Sequence, residues 1–396
     1  MNEFIDIKDL EFPKGCPKVE FYRHPDYCEI VLYLFTKCNL RCEFCFQEHS
    51  ADLDMNYIKK IPDMAIELLK KDIDKEPTIK QIDIRLLGGE LFADAVPDSY
   101  FDVYAELVQE IRRRLNEMYP DKKIVFIVTS NGVYSKVERL VKFLEDNDFK
   151  KLVSISIDFI GRYPNEKVKQ RAYDTIKELA DRGCDVRAGL VMTKRNLNYI
   201  MAHKQEFRDL VEKYNATQIT FNFYIPNNNW EKDLPTDNDM WQFFEFCLSE
   251  KLFYVGIIFY LMESFIRQKF FTKTCECKFI PTVTDGCVTK DCTQTASTLD
   301  RHMFYGNYVD ELNEENVSDV KASLGITKRG CLACEHYSYC PQMCWCLLIF
   351  EHFKAEACPL ASSYAFIKAH PELVDEYKKW KKERCSYEMT GEEDAC

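Results

Sequence analysis

The chain has 396 residues, of which 46% are hydrophobic and 30% charged, proportions typical of a folded globular protein and not of a disordered one. Its 53 Lys and Arg against 65 Asp and Glu leave a formal charge of -12, which argues against nucleic acid as a main partner. The longest uninterrupted apolar run, residues 252–262, is shorter than the roughly 18 residues that a membrane span needs, so we expect no membrane partner and a buried helix instead.

The N-terminus, MNEFIDIKDLEF, is acidic and lacks the basic and apolar regions of a secretory signal, which predicts a cytoplasmic protein. In that reducing compartment disulfides are disfavoured. The 19 cysteines, an odd and clustered set, therefore indicate metal binding or catalysis.

Short apolar runs alternate six times with longer amphipathic stretches, which predicts strands alternating with helices. Strands and crossover helices in this order form a parallel sheet with its helices outside. The predicted fold class is α/β, and six units favour a partial (β/α)6 TIM-like barrel over a complete eight-unit barrel. The predicted strands are residues 29–35, 81–87, 123–129, 152–158, 185–192 and 217–225.

The rest of the chain has a different character. After the barrel we expect a helical bridging segment, then a cysteine-rich region too poor in apolar residues to fold without metal, and last a helix with a charged tail. The predicted divisions are an N-terminal extension (1–28), the barrel (29–225), the bridging segment (226–272), the cysteine-rich domain (273–362) and the C-terminal helix and tail (363–396).

A loop after the first predicted strand carries Cys38, Cys42 and Cys45 at x3 and x2 spacing. Three thiolates on so short a loop can hold three corners of a cubane iron-sulfur cluster and leave the fourth iron free to bind a ligand. A zinc loop or chance spacing is the alternative, and the spacing alone does not decide between them.

The surroundings of this loop resemble those of the radical SAM superfamily. Phe44 stands just before the last cysteine, and Gly88, Gly89 and Glu90 follow the second strand, like the superfamily's GGE motif. The resemblance implies a 4Fe-4S cluster on the three cysteines, with Phe44 beside the cofactor and the GGE segment at the amino group of S-adenosylmethionine. Two glycines let the backbone approach the ligand, and a carboxylate complements its ammonium.

Two further segments resemble the superfamily less specifically. Ser130 and Asn131 match its TNG turn after the third strand, and Ser156 matches a serine that contacts the ribose at the fourth strand. Asn-Gly is also a common turn pair, and a serine at a strand end is ordinary. Leu87 departs from the superfamily, because many relatives carry a polar residue before GGE.

The second cysteine field resembles the SPASM domain, a C-terminal extension of many radical SAM enzymes. Its run is Cys331-x2-Cys334-x5-Cys340-x3-Cys344, followed by Cys358, while Cys277-x14-Cys292 resembles the pair that opens the domain. Two zinc sites are the competing interpretation.

The SPASM resemblance implies two auxiliary 4Fe-4S clusters and hence three clusters in all. The distal cluster would use Cys331, Cys334, Cys340 and Cys358, and the proximal cluster Cys277, Cys292 and Cys344. Cys275, Cys287 or an open iron remains for its fourth position.

The resemblance implies reductive cleavage of S-adenosylmethionine to a 5'-deoxyadenosyl radical, which abstracts hydrogen from a peptide or protein substrate. We expect a crosslink (thioether, carbon-carbon or ether) in a ribosomally synthesised peptide. The alternatives are formylglycine formation in sulfatases, epimerisation and, from another class, a non-catalytic electron carrier. Thr293 stands where sulfatase-maturing relatives have an acid, and an epimerase would need a hydrogen donor such as Cys184 or Cys346.

Two protein partners follow from this chemistry. The first is a reducing electron donor of the flavodoxin or ferredoxin type. The second depends on how the peptide is recognised, because the 28 residues before the first predicted strand are too few for a winged-helix leader domain. Either the barrel and the cysteine-rich surface bind the peptide, or a separate leader-peptide-binding protein presents it. The catalytic residues of the substrate reaction remain unassigned.

Overall fold

A computed structural model of the chain describes residues 27–45, 49–50, 52–75, 77–149, 151–224, 233–268, 278–280, 331–340 and 358–385. Within these ranges the structure is a parallel sheet with helices packed against it. The predicted fold class is confirmed.

Seven strands form the sheet in the order β6-β5-β4-β3-β2-β1-β7, and every neighbouring pair is parallel. The six predicted strands are all present, two of them with the predicted bounds. A short seventh strand that the sequence pattern did not predict pairs with β1 at the opposite edge from β6. The strands are β1 (Tyr27–Tyr33), β2 (Gln81–Leu87), β3 (Lys123–Ser130), β4 (Leu152–Ser156), β5 (Asp185–Met192), β6 (Gln218–Phe223) and β7 (Lys278–Ile280).

Helices follow the strands as the alternation predicts. Their starts use side-chain caps where the sequence provides them: Asn165 accepts from the Val168 N–H, and Thr193 accepts from the Asn196 N–H. The described helices are α1 (Met55–Ile58), α2 (Ile61–Lys75), α3 (Asp98–Met118), α4 (Val137–Asp146), α5 (Glu166–Asp181), α6 (Lys194–Ala202), α7 (Lys204–Glu212), α8 (Asp237–Ser249), α9 (Gly256–Arg267), α10 (Pro359–Ala369) and α11 (Glu372–Cys385).

The core lies between the outer face of the sheet and the helices. On β2, alternate residues Ile82, Ile84 and Leu86 are fully buried, as the two-residue period of a strand requires. Each such side chain contributes on the order of 1.5–3 kcal/mol by leaving water. The intervening residues, Asp83 and Arg85 among them, are only partly buried and lie on the opposite, inner face of the curved sheet.

The C-terminal helices pack on α9. The hydroxyls of Tyr364 in α10 and Ser264 in α9 lie 2.7 Å apart, and the Tyr377 hydroxyl of α11 donates to Glu263 over 2.5 Å. Lys381 also donates to Glu263, over 3.0 Å. The end of the chain is therefore fastened to the helices that follow the last large strand. In the described part of the chain, no helix is both long and apolar enough to cross a membrane.

Candidate functional site

The cysteine loop leaves the carboxyl end of β1, at the edge of the sheet where ligands bind in parallel α/β folds. Cys38, Cys42 and Cys45 are each partly buried. The Cys45 N–H donates to the Cys42 carbonyl over 3.1 Å, which brings these two residues onto one tight turn. Burial raises the pKa of the Cys38 and Cys42 thiols above the ordinary value, because a thiolate loses hydration when it is enclosed.

Three N–H groups compensate for this lost hydration. The Leu40 N–H lies 3.4 Å from the Cys38 sulfur, and the Asn131 side-chain amide lies 3.6 Å from the same sulfur. The Arg162 guanidinium donates to the Cys42 sulfur, also over 3.6 Å. Hydrogen bonds directed at sulfur are what a metal-bound thiolate accepts from its surroundings.

The donor set fits a 4Fe-4S cluster, whose usual ligands are cysteine thiolates. Among the described residues, no group of three or more His, Cys, Asp or Glu converges closely enough to hold one ion. In a cubane cluster each cysteine binds a different iron, so its sulfurs need not converge on one point. The three cysteine sulfurs are soft ligands, and two of them accept hydrogen bonds from N–H groups, as the ligands of an iron-sulfur cluster do.

The Gly88, Gly89 and Glu90 segment leaves the carboxyl end of β2 and lies against the cysteine loop. The Gly89 N–H donates to the Phe35 carbonyl over 2.8 Å, and the Glu90 N–H to the Lys37 carbonyl over 3.0 Å. A Cβ at Gly89 would stand 1.9 Å from the Lys37 carbonyl oxygen. Glycine is therefore required here by the approach of the cysteine loop itself, in addition to any approach of a ligand.

Glu90 is 1% exposed, and its carboxylate is used inside the protein. One oxygen accepts from the Phe92 N–H over 3.1 Å and from the Ser130 hydroxyl over 2.9 Å, and the other from the Asn131 N–H over 2.5 Å. Burial raises the pKa of Glu90 to about 7, although these hydrogen bonds oppose the rise. The side chain thus fastens the loop after β2 to the turn after β3.

Two more predicted residues, Ser130 and Asn131, lie at this edge, where β3 ends and the following turn begins. Besides its contact with Cys38, the Asn131 amide donates to the Asn39 side chain over 2.7 Å. Gly132 follows with φ +71°, a left-handed conformation that favours glycine. Ser156 is the last residue of β4 and pairs in register with Gly189 of β5. The carboxyl ends of β1 to β4 thus hold the cysteine loop, the glycine segment, Ser130, Asn131 and Ser156.

Arg162 and Asp158 also belong to this region. Asp158 ends the Ser156-Ile157-Asp158 segment, which resembles the SLD segment of the superfamily, whereas no motif in the sequence pointed to Arg162. Both lie in the loop that follows β4, and the Arg162 guanidinium reaches the cysteine loop. It lies 5.2 Å from the centre of the Phe44 ring, which is itself buried. The spacing of 120 residues between Arg162 and Cys42 leaves no local signal that could have revealed the contact.

Cys184, one of the two candidate hydrogen donors for the epimerase alternative, is not brought to this edge. It directly precedes β5, whose 8 residues extend about 26 Å at 3.3 Å each, so its buried thiol lies at the opposite end of that strand. A thiol there is misplaced for a reaction at the carboxyl ends of the strands.

Four cysteines of the predicted distal cluster are described, and all are partly buried. Cys331 and Cys334 share a turn closed by a 2.9 Å hydrogen bond from the Cys334 N–H to the Cys331 carbonyl. Cys340 and Cys358 both lie near Tyr364, where their charges add to burial in raising the pKa of that phenol. The other predicted cysteines and the neighbouring threonine lie outside the described residues: Cys275, Cys277, Cys287, Cys292, Thr293, Cys344 and Cys346.

Residues 28–175 match a family model described as a 4Fe-4S single cluster domain. This range contains the cysteine loop, the glycine segment, the turn after β3 and Arg162. No curated protein is similar enough in sequence to count as a match.

Solved structures share the fold of the chain. Native anSMEcpe with bound AdoMet and Cp18Cys peptide is similar with a TM-score of 0.61 at 18% identity, over 90% of this chain and 100% of that one. Native anSMEcpe with bound AdoMet gives a TM-score of 0.59 at 19% identity, over 88% of this chain and 99% of that one. SuiB of Streptococcus suis bound to precursor peptide SuiA gives a TM-score of 0.49 at 17% identity, over 84% of this chain and 76% of that one. The chain thus shares the fold of anSMEcpe, and its residues 28–175, which include the cysteine loop and the Gly88, Gly89 and Glu90 segment, match a 4Fe-4S single cluster domain.

Proposed function

We propose that the protein is a radical SAM enzyme that modifies a peptide by forming a crosslink between its side chains. The observation that carries this proposal is the packing of three partly buried cysteines against a glycine-glycine-glutamate segment at the carboxyl edge of a parallel sheet. The peptide substrate is supported by the likeness to anSMEcpe, which holds AdoMet and a peptide.

When bound, a 4Fe-4S cluster and S-adenosylmethionine supply a 5'-deoxyadenosyl radical that abstracts hydrogen from the substrate. The residues of the chain hold and orient these groups. Cys38, Cys42 and Cys45 would ligate the cluster, and Asn131 and Arg162 donate N–H groups to two of their sulfurs.

Glu90 supports S-adenosylmethionine binding in one of two ways. A direct contact to the ligand's ammonium would be charge-assisted, but in this structure all of the observed carboxylate hydrogen bonds go to the protein's own Phe92, Ser130 and Asn131. The alternative is that Glu90 acts by holding the turn after β3 beside the cysteine loop. Ser156, the last residue of β4, is the candidate for the ribose contact that the resemblance implies.

We propose crosslinking in preference to formylglycine formation because Thr293 cannot serve as the base that sulfatase maturation requires. Crosslinking removes two hydrogens from the peptide. One is taken as a hydrogen atom by the 5'-deoxyadenosyl radical, and the other leaves as a proton and one electron, which the auxiliary clusters would accept. The substrate is a peptide, and the reductant is a flavodoxin or ferredoxin. The auxiliary clusters use the cysteines assigned above, with Cys275 or Cys287 as the further candidate ligand.

The first experiment tests the cofactors. The anaerobically reconstituted protein should contain three 4Fe-4S clusters and release 5'-deoxyadenosine from S-adenosylmethionine with dithionite. Replacing Cys38, Cys42 and Cys45 together with Ala should remove one cluster and abolish that product. Cys247→Ala, a buried cysteine of α8, is the matched control and should retain both. A triple variant with full iron content and 5'-deoxyadenosine formation would refute the assignment.

The second experiment tests the reaction. The enzyme is incubated anaerobically with the small peptide encoded beside its gene, and the product is analysed by tandem mass spectrometry. We expect the loss of two hydrogens and a link between side chains. Deuterium from solvent at an α-carbon without mass loss in ordinary water would show epimerisation instead, and conversion of a sulfatase peptide would contradict the argument from Thr293.

A further inference from the structure

Arg162 is a largely buried cation that contacts the sulfur of a predicted cluster ligand. Its side chain is 10% exposed, and Nη1 lies 3.6 Å from Cys42 Sγ. The backbone also joins the two loops, because the Glu43 N–H donates to the Gly161 carbonyl over 2.9 Å. The loop after β4 therefore contacts the cysteine loop at two adjoining points, through the Arg162 guanidinium and through the Gly161 carbonyl.

The position of this guanidinium is fixed by Asp158. Arg162 Nε donates to Asp158 Oδ2 over 2.6 Å, and that carboxylate is fully buried. The other oxygen, Oδ1, accepts from the Val191 N–H and from the Asn196 side-chain amide, each over 2.7 Å. Asp158 thus binds the Nε side of the guanidinium, while Nη1 is directed to the sulfur.

We infer that Arg162 raises the reduction potential of the cluster held by Cys38, Cys42 and Cys45, an inference that rests on the proposed function. Reduction adds one negative charge to the cluster and its thiolates. A nearby positive charge and a hydrogen bond to a ligand sulfur stabilise this reduced state. The effect is large in a buried site, since little water screens the guanidinium.

The ion pair with Asp158 does not cancel this effect at the sulfur. The guanidinium lies between the carboxylate and Cys42 and itself makes the contact to the sulfur. Arg162 is therefore a positioning and tuning residue that acts through Cys42. One electron passes from dithionite to the cluster in the reaction measured below, and no bond forms or breaks.

The test measures the reduction potential of this cluster in the reconstituted full-length protein. The fraction reduced is followed by EPR at set potentials, using the signal whose shape changes when S-adenosylmethionine is added. Arg162→Gln removes the charge and should lower the ratio of reduced to oxidised cluster at least tenfold at a given potential, equivalent to about 59 mV for one electron.

Arg195→Gln is the matched control. Arg195 also contacts the cysteine loop, through Glu43 over 2.7 Å, and pairs with Asp233 over 2.6 Å. Its observed contacts are to carboxylates, so the potential should remain that of the wild type. A shift of equal size in this variant would assign the effect to loop packing and overturn the inference.

The outcomes separate a tuning role from a structural one. Equal potentials in wild type and Arg162→Gln, at equal iron content, overturn the inference. If Arg162→Gln loses the cluster, Arg162→Met, which is also neutral and of similar length, is measured in its place: a lowered potential supports the inference, and an unchanged or raised one overturns it. Failure of the proposed function looks different, because the wild type itself would then show no reducible cluster that responds to S-adenosylmethionine.

Discussion

Replacing Glu90 with Ala should loosen the turn after β3. In the native protein its carboxylate accepts hydrogen bonds from the backbone N–H groups of Phe92 and Asn131 and from the Ser130 hydroxyl. The hydroxyl can rotate to another partner, but the two backbone groups cannot. Each buried donor left unpaired costs about 1–3 kcal/mol, so the substitution should lower local stability by about 2–6 kcal/mol.

Hydrogen exchange of the reconstituted protein, followed by mass spectrometry, measures this local loss. Because about 1.4 kcal/mol corresponds to a factor of ten, amides of the segment around Asn131 should exchange at least about tenfold faster in Glu90→Ala. Glu106→Ala, on the exposed face of α3, is the control and should leave this segment unchanged.

Two outcomes would refute the reasoning about Glu90. Unchanged exchange around Asn131 would show that the carboxylate does not hold the turn. Loss of S-adenosylmethionine affinity with native exchange and native iron content would instead assign Glu90 to direct contact with the ligand's ammonium.

Two further predictions concern the glycine segment and the inner face of the sheet. Gly89→Ala should abolish S-adenosylmethionine binding and cluster retention, because the added Cβ would overlap the Lys37 carbonyl. The control Gly256→Ala, whose Cβ would lie 3.5 Å from its nearest neighbour, should retain both. Iron analysis and equilibrium dialysis measure the two properties, and normal binding by Gly89→Ala would contradict the packing. Burial raises the pKa of Asp83 from 3.8 to about 6, so the folded protein favours the neutral form of this side chain. The free energy of unfolding therefore falls as the pH rises from 3.8 through about 6. The melting temperature should therefore fall less between pH 5 and 7 in Asp83→Asn than in the wild type, and identical pH profiles would refute the shift.

The sequence by itself predicted the six large strands and the edge where the site lies. Hydrophobic alternation is a local property: Ile82, Ile84 and Leu86 must face one side of a strand wherever that strand lies. Parallel strands with crossover helices place the loops that follow them at one edge, so the cysteine loop and the glycine segment could be expected side by side.

Only the tertiary structure decided how side chains at that edge are used. The three-residue strand β7 is too short to carry a periodic signal, and its pairing with β1 joins segments about 250 residues apart in the chain. Two of the three partners of Glu90 are also non-local, because Ser130 and Asn131 lie 40 and 41 residues away. Arg162 meets Cys42 across 120 residues. Such contacts depend on which loops the completed sheet brings together, and a local sequence pattern contains no record of that geometry.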